Sequence, residues 1–360
     1  MLRDGEILNR LEPEALVQAF VSEPPEGFEP LTLDVGGMGT IHGFIVNFDL
    51  LTTLDKKAKN RFDRCRRFMP DFILKLLRPP ALFLGSPVSE YALIPSGINP
   101  AELRLAALST LKKLSPKLLI IKDLPSASPF LFSHENEFSK SLMSHLRDNG
   151  FSILSGQALA YVPIDFTSVN DYIQKLSRAR RKDMKRKLKA LQEISIVQFE
   201  TGNKFFDETK INLLYRLYLN VYEDSKIHFD RLTLLFFRRV FTDSTANGIV
   251  FLYMKDDVVI GFNLCYIVRN CLVDKYIGFL YPEARNFNLY FVSWFHNLDF
   301  CLRNNLAFFV AGWTDPEIKK HLGAQFTYTY HAVYLKNAIL RIILGKFKAH
   351  FESDRRILEN

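Results

Sequence analysis

The sequence predicts a mixed α/β (α+β) protein: a mostly antiparallel sheet flanked by helices, laid out in two halves of similar grammar. Three observations predict it. Apolar runs of strand length alternate with stretches of helical periodicity along the chain. The second half carries three long apolar runs separated by the two-residue turns Asp256-Asp257 and Arg269-Asn270, an antiparallel meander signal. Hydrophobic residues are 48% of the 360, with 32 Phe, enough apolar surface to fill two cores and to exclude global disorder.

In the first half, apolar runs at 43–48 and 81–84 read as strands. A helix is expected over 100–114, where Pro100 near the start gives up an N–H that the first turn does not need. A short strand follows at 117–121, then a helix over 136–149 ending on Asn149-Gly150, a good C-terminal stop. Two more short strands are expected within 151–163. In the second half, 169–176 and 181–191 read as helices, the latter with Met184, Leu188 and Leu191 on one apolar stripe. A strand at 194–199 and helices at 206–222 and 232–241 lead into the meander, 249–255, 258–268 and 271–280. A loop at 281–287 precedes a helix over 288–304, with Asn286 and Asn288 as candidate N-caps. A strand at 307–311 and a short helix opening at Thr314-Asp315-Pro316-Glu317 and stopping at Gly323 come next. The last strand covers 326–335. The domains expected are 1–160, 161–345 and a tail over 346–360.

The net charge of +8 is concentrated. Eight basic residues and one acid, Asp183, lie between Arg178 and Lys189, and seven basic residues and two acids between Asp55 and Arg67. The rest of the chain is slightly acidic. Two local basic patches favour anionic ligands or surfaces at defined places. The start of the chain lacks the apolar core of a secretory signal, and no apolar run reaches the roughly 18 residues a membrane span needs. Cys65, Cys265, Cys271 and Cys301 show no paired spacing, so reduced thiols in the cytoplasm are expected. His228, His296, His321 and His331 have no metal-ligand spacing, and no metal is expected. Glycine-rich nucleotide loops and the nucleophile elbow of α/β-hydrolases are absent.

The unit 275–295 carries the most chemistry. A helix N-terminus after a strand presents N–H groups and a positive dipole end suited to pyrophosphate, and Arg285 adds charge beside it. Strict alternation along 271–280 sets Asp274 with Leu272, Tyr276 and Gly278 on one face and Lys275 on the other. An Asp placed in a cleft is a candidate general base. The basic helix reads as an anion-binding face or as a solvated one. The stretch 337–351 reads as a helix packed on the domain or an amphipathic membrane-surface helix.

Three segments give a resemblance. Leu176-Ser177-Arg178-Ala179-Arg180-Arg181-Lys182, Asp274-Lys275-Tyr276-Ile277-Gly278 running into Tyr281-Pro282-Glu283-Ala284-Arg285, and Glu317-x-Lys319-x-x-x-Gly323 resemble GNAT acyltransferases of the FemAB-like and CelD-like branch. The resemblance is close over 160–335 and looser in the first half, through Gly85-Ser86-Pro87-Val88-Ser89-Glu90-Tyr91 and Ile121-Lys122-Asp123-Leu124-Pro125. It implies two GNAT-like halves in tandem, the first degenerate. It implies an acyl-CoA co-substrate, acetyl-CoA first, with its phosphates over Arg285, Asn286, Phe287, Asn288 and Leu289. The glycines of the family's donor loop are replaced here. Direct attack by an amine or hydroxyl acceptor is expected, with Asp274 or Glu283 taking the proton and Tyr290 protonating the thiolate. Lys275, Glu317, Lys319, Arg178, Arg181 and Lys182 are expected to line the substrate side. The acceptor implied is a small molecule or cell-envelope precursor. The alternatives are an aminoacyl-tRNA donor, or a binder of RNA or anionic lipid acting through 178–189.

Overall fold

The computed structural model describes residues 7–35, 39–49, 78–225 and 229–337. Expectations for the basic stretch 55–67, Cys65, His228 and the tail 346–360 lie outside these residues.

The chain opens with β1 (Ile7–Leu8), α1 (Glu14–Ser22), β2 (Glu29–Asp34), β3 (Thr40–Asn47), β4 (Pro80–Leu84) and β5 (Ile94–Pro95). It continues with α2 (Pro100–Leu114), β6 (Leu118–Ser126), α3 (Ser133–Asp148) and β7 (Ser152–Pro163). Helix α2 forms where expected because Asn99 and Glu102 close a reciprocal capping box and Leu103, Ala107 and Leu111 make one buried stripe. The two short strands expected within 151–163 are one strand. Gly156, which reads as a break, instead makes room: a Cβ there would collide with the Thr329 hydroxyl and stand 3.1 Å from the His331 ring. Helix α1 and strand β2 went unpredicted.

The second stretch runs α4 (Val169–Lys175), α5 (Arg178–Lys187), a 3₁₀ turn (Leu188–Gln192), β8 (Ser195–Glu200), α6 (Glu208–Asp224) and α7 (Leu234–Thr242). The meander β9 (Ile249–Lys255), β10 (Val258–Val268) and β11 (Cys271–Phe279) follows. Then come α8 (Glu283–Asn286), α9 (Leu289–Arg303), β12 (Phe308–Gly312), α10 (Pro316–Leu322) and β13 (Gln325–Leu335). The basic helix starts at Arg178, three residues earlier than its apolar stripe indicated, and tightens to 3₁₀ after Lys187. Part of the expected loop 281–287 is the short helix α8.

Two compact units divide the chain. One holds β1 to β6, most of β7 and most of β13. The other holds α1 and everything from the end of β7 to the start of β13. The change at 158/159 lies beside the boundary expected at 160, but α1 and most of β13 belong to the other unit from the one expected. Strand pairing decides β13, which runs antiparallel to β6 from Tyr328 to Leu335. Packing decides α1, whose Glu23 carbonyl accepts from the Thr233 hydroxyl and whose carboxylate pairs with Arg239.

Each unit is mixed and mostly antiparallel, with one parallel step. In the first, β2, β3 and β4 form an antiparallel series and β6 lies parallel to β4. In the second, β8, β9, β10 and β11 form one and β12 lies parallel to β11. The first core gathers Leu82, Leu103, Ile121, Leu142 and Ala332. The second gathers Phe251, Leu272, Leu289, Phe295 and Phe309. On the opposite face of the second unit's sheet, Tyr276 meets Tyr218, Phe236 and Phe237 edge-on.

Candidate active site

Strands β11 and β12 pair only over Cys271–Val273 against Phe308–Val310. Beyond that point they separate, and Gly312 takes a left-handed turn at φ 77°. Separation starts at Asp274 and leaves β11 backbone groups beyond it unclaimed by β12. A parallel pair that opens like this makes a wedge with polar edges.

The ladder between β10 and β11 is interrupted between Leu264 and Cys265: Cys265 faces Asp274, but Leu264 faces Tyr276. Lys275 is the extra residue of a β-bulge. The bulge reverses the alternation, so Asp274 does not share a face with Tyr276, as expected, but turns to the side of α9. There its Oδ1 accepts from Asn263 Nδ2 at 2.6 Å. Asn263 Oδ1 accepts from Asn297 Nδ2 at 2.8 Å and from the Cys265 thiol at 3.2 Å. Asn263 and Asn297 are fully buried. Each amide has its orientation fixed by the next, so Asn263 presents N–H, not oxygen, to the carboxylate. Burial, reinforced by the negative charge of Asp274, holds the Cys265 thiol and the Tyr253 hydroxyl protonated.

Tyr290, in the first turn of α9, joins this group. Burial raises its hydroxyl far above its ordinary value, and the carboxylates of Asp315 and Asp274 push the same way. It therefore keeps its proton. Lys319 on α10 is buried; its Nζ stands 3.9 Å, and the Asp274 carbonyl 3.8 Å, from where a Cβ on Gly312 would be. Lys319 thus lies near the Asp274 backbone at Gly312, and Tyr290 feels the Asp274 charge. Glu283 lies on α8 with Oε2 buried and without a hydrogen-bond partner among the described residues. Glu317 is exposed on α10.

The donor stretch differs from expectation. Arg285 is not a free charge: it forms a two-pronged pair with Asp224 at 2.9 and 3.0 Å and lies over the Tyr281 ring. Asn288 precedes α9 at φ 51° and caps none of its N–H groups with its side chain. Leu289 is fully buried against Gly261, so its side chain cannot line a site. Asn286 is exposed, and Phe287 packs on the core with Lys255 5.6 Å from its ring. What this stretch offers a phosphate is backbone N–H at the start of α9. Asp315, before α10, is also left-handed and caps nothing with its side chain.

The basic helix separates into two sets. Arg181 donates to the Gln174 and Leu176 carbonyls, and Arg180 to that of Lys320. Arg186 and Lys187 share Asp183, whose carboxyl they hold below the usual range, Lys187 foremost. Arg181, expected on the substrate side, uses Nη1 to staple the end of α4 and the residue after it. Arg178 and Lys182 are exposed.

The sequence reading missed Asn263, Asn297 and Asp315. The first two had a signal: an amide inside an otherwise apolar strand or helix must find a partner. Asp315 had none, because its charge acts on Tyr290 across 25 residues of chain.

Residues 100–357 match the family model described as FemAB-like, peptidoglycan biosynthesis/recognition. The chain belongs to the FemAB-like family. This FemAB-like chain is similar in structure to FemX (TM-score 0.53, 10% identity, 94% of this chain and 100% of that one). It is also similar to L-PGS from Bacillus licheniformis (0.52, 10%, 96% and 98%). A third is the C-terminal domain of a putative lysylphosphatidylglycerol synthetase from Agrobacterium fabrum (0.51, 11%, 92% and 90%). At such identities these likenesses show the fold. A search of the curated proteins found no match. Family and fold together support an acyl or aminoacyl transferase in general. Among the described residues no helix is long and apolar enough to cross a membrane.

Proposed function

We propose that this FemAB-like chain transfers an acyl group from acyl-CoA to an amine or hydroxyl of a cell-envelope precursor in the cytoplasm, by direct attack. The observation that carries this reading is the Asp274 carboxylate at the opening of β11 and β12, oriented by a buried amide, with a tyrosine that keeps its proton within reach of its charge. The thioester lies in the wedge. Backbone N–H groups of β11 beyond Val273 bind its amide and carbonyl oxygens, which stabilises charge as it develops. The acceptor attacks the carbonyl carbon, and Asp274 takes its proton. As the C–S bond breaks, Tyr290 gives its proton to the leaving thiolate. Lys319 shapes the acceptor side.

A second reading, an aminoacyl-tRNA donor, is favoured by the donor stretch itself, where Arg285 is paired and Leu289 buried. Thermal unfolding with acetyl-CoA, longer acyl-CoAs and CoA separates the two. A ligand at about 100 times its Kd stabilises by about 2.7 kcal/mol. A shift with acyl-CoA supports the acyl-CoA donor. No shift with any CoA species moves the assignment to an aminoacyl donor.

A further inference from the structure

Half of the cations on the basic helix are used inside the protein, and the other half are not. Arg180, Arg181, Arg186 and Lys187 are held by carbonyls and by Asp183, and Lys187 also lies 3.4 Å from the centroid of the Phe291 ring. Arg178, Lys182, Lys185 and Lys189 are exposed, and no acid pairs with them among the described residues. Arg178, Lys182 and Lys185 lie within an arc of about 60° at 100° per residue, and Lys189, reached through the 3₁₀ turn at about 120° per residue, widens it to about 80°. They form a straight row about 17 Å long. Like charges at these spacings repel and weaken a helix. The protein keeps them aligned on one face although Asp183 shows that the same helix can carry an acid.

From this row we infer a docking surface for an anionic lipid bilayer. A straight row presents all four charges to a flat sheet of headgroups at one height, which suits a membrane better than a curved groove. No aromatic residue lies between Tyr172, which is buried, and Phe199, so the face has nothing on which nucleobases could stack. The inference is independent of the transfer chemistry.

The test is co-sedimentation of the full chain with vesicles of phosphatidylcholine alone or mixed with phosphatidylglycerol. Binding to the mixed vesicles only, reversed by salt, is expected. Each cation is worth about fivefold, so Arg178→Gln/Lys182→Gln/Lys185→Gln/Lys189→Gln lowers partitioning by roughly 1,000-fold. A control with the same change in net charge, Lys112→Gln/Lys113→Gln/Lys117→Gln/Lys140→Gln, keeps partitioning within about threefold. Both variants change exposed side chains, and a matched thermal melt checks that each folds. The docking surface is refuted if the wild type ignores anionic vesicles or if the two variants lose binding equally. It is refuted as well if the row variant binds like wild type, or if duplex RNA binds the row with a steep salt dependence while vesicles do not.

Discussion

Two parallel strand pairs, one in each unit, come apart at the end of their ladder and are filled in opposite ways. In the first unit β4 and β6 pair as far as Leu84 and Ile121. The next two residues, Lys122 and Asp123, pair with each other with side chains only 14% and 10% exposed. Lys122 also donates to the Ser86 carbonyl at 3.0 Å, and the Asp123 N–H donates to His331 Nδ1 at 3.1 Å. In the second unit β11 and β12 pair as far as Val273 and Val310, and there a carboxylate is held by a neutral amide beside a protonated tyrosine. The same backbone opening is closed by an internal ion pair in one unit and furnished with an acid–base pair in the other. A strand divergence is therefore only an opportunity. The charges placed at its mouth decide whether it becomes a site.

The comparison breaks most sharply at the two aspartates. Asp274→Asn should cost about 10²- to 10⁴-fold in acyl transfer, followed as thiol release from acetyl-CoA with amine acceptors, with little change in melting temperature. Asp123→Asn should do the reverse. It leaves Lys122 buried without its partner and costs about 3–5 kcal/mol in urea unfolding, while transfer by the folded protein stays within about threefold. Equal loss of transfer in both would mean that the first opening also takes part in the reaction.

Asn297→Ala sharpens it next. Removing this donor leaves Asn263 Oδ1 dependent on the Cys265 thiol, at a cost of about 1–3 kcal/mol. It should also lower transfer and alter its pH profile, because the amide no longer holds Asp274 in one orientation. Stability lost with the pH profile intact would make the relay purely structural.

Acid titrates one histidine in each unit. Burial lowers His296 to about 4, and it lowers His331 as well, with the Lys122 charge pushing the same way and Asp123 opposing. Both stay neutral when folded, whereas the unfolded chain binds their protons near 6.5. Their contribution is therefore complete above about pH 6.5 and falls as pH drops below it. For His296 the loss is about 2 kcal/mol by pH 5. His296→Phe should flatten that slope in urea unfolding at pH 5 and pH 7, and His331→Gln should flatten what remains. The smallest effect expected is Gly312→Ala, about 1 kcal/mol in urea unfolding, because φ 77° strains any residue with a Cβ.

The sequence alone determined most of the order of elements from Pro100 onward, the meander with its two tight turns, the helix over 100–114 and the single-sided burial of the basic helix. These depend on side chains a few positions apart, where periodicity and capping act. It also singled out Asp274 as a candidate base on the strand that leaves the ladder with β12. It could not show which way Asp274 points, because a bulge between Leu264 and Cys265 overrides strict alternation. Nor could it show that Asn297 reaches Asp274 through Asn263, that Arg285 is bound by Asp224, or that β13 joins the first unit. Nor did it separate the four occupied cations of the basic helix from the four in a free row. Each of these depends on a partner distant in the chain or on the register of a ladder. Local pattern carries no record of either, so only tertiary packing could decide them.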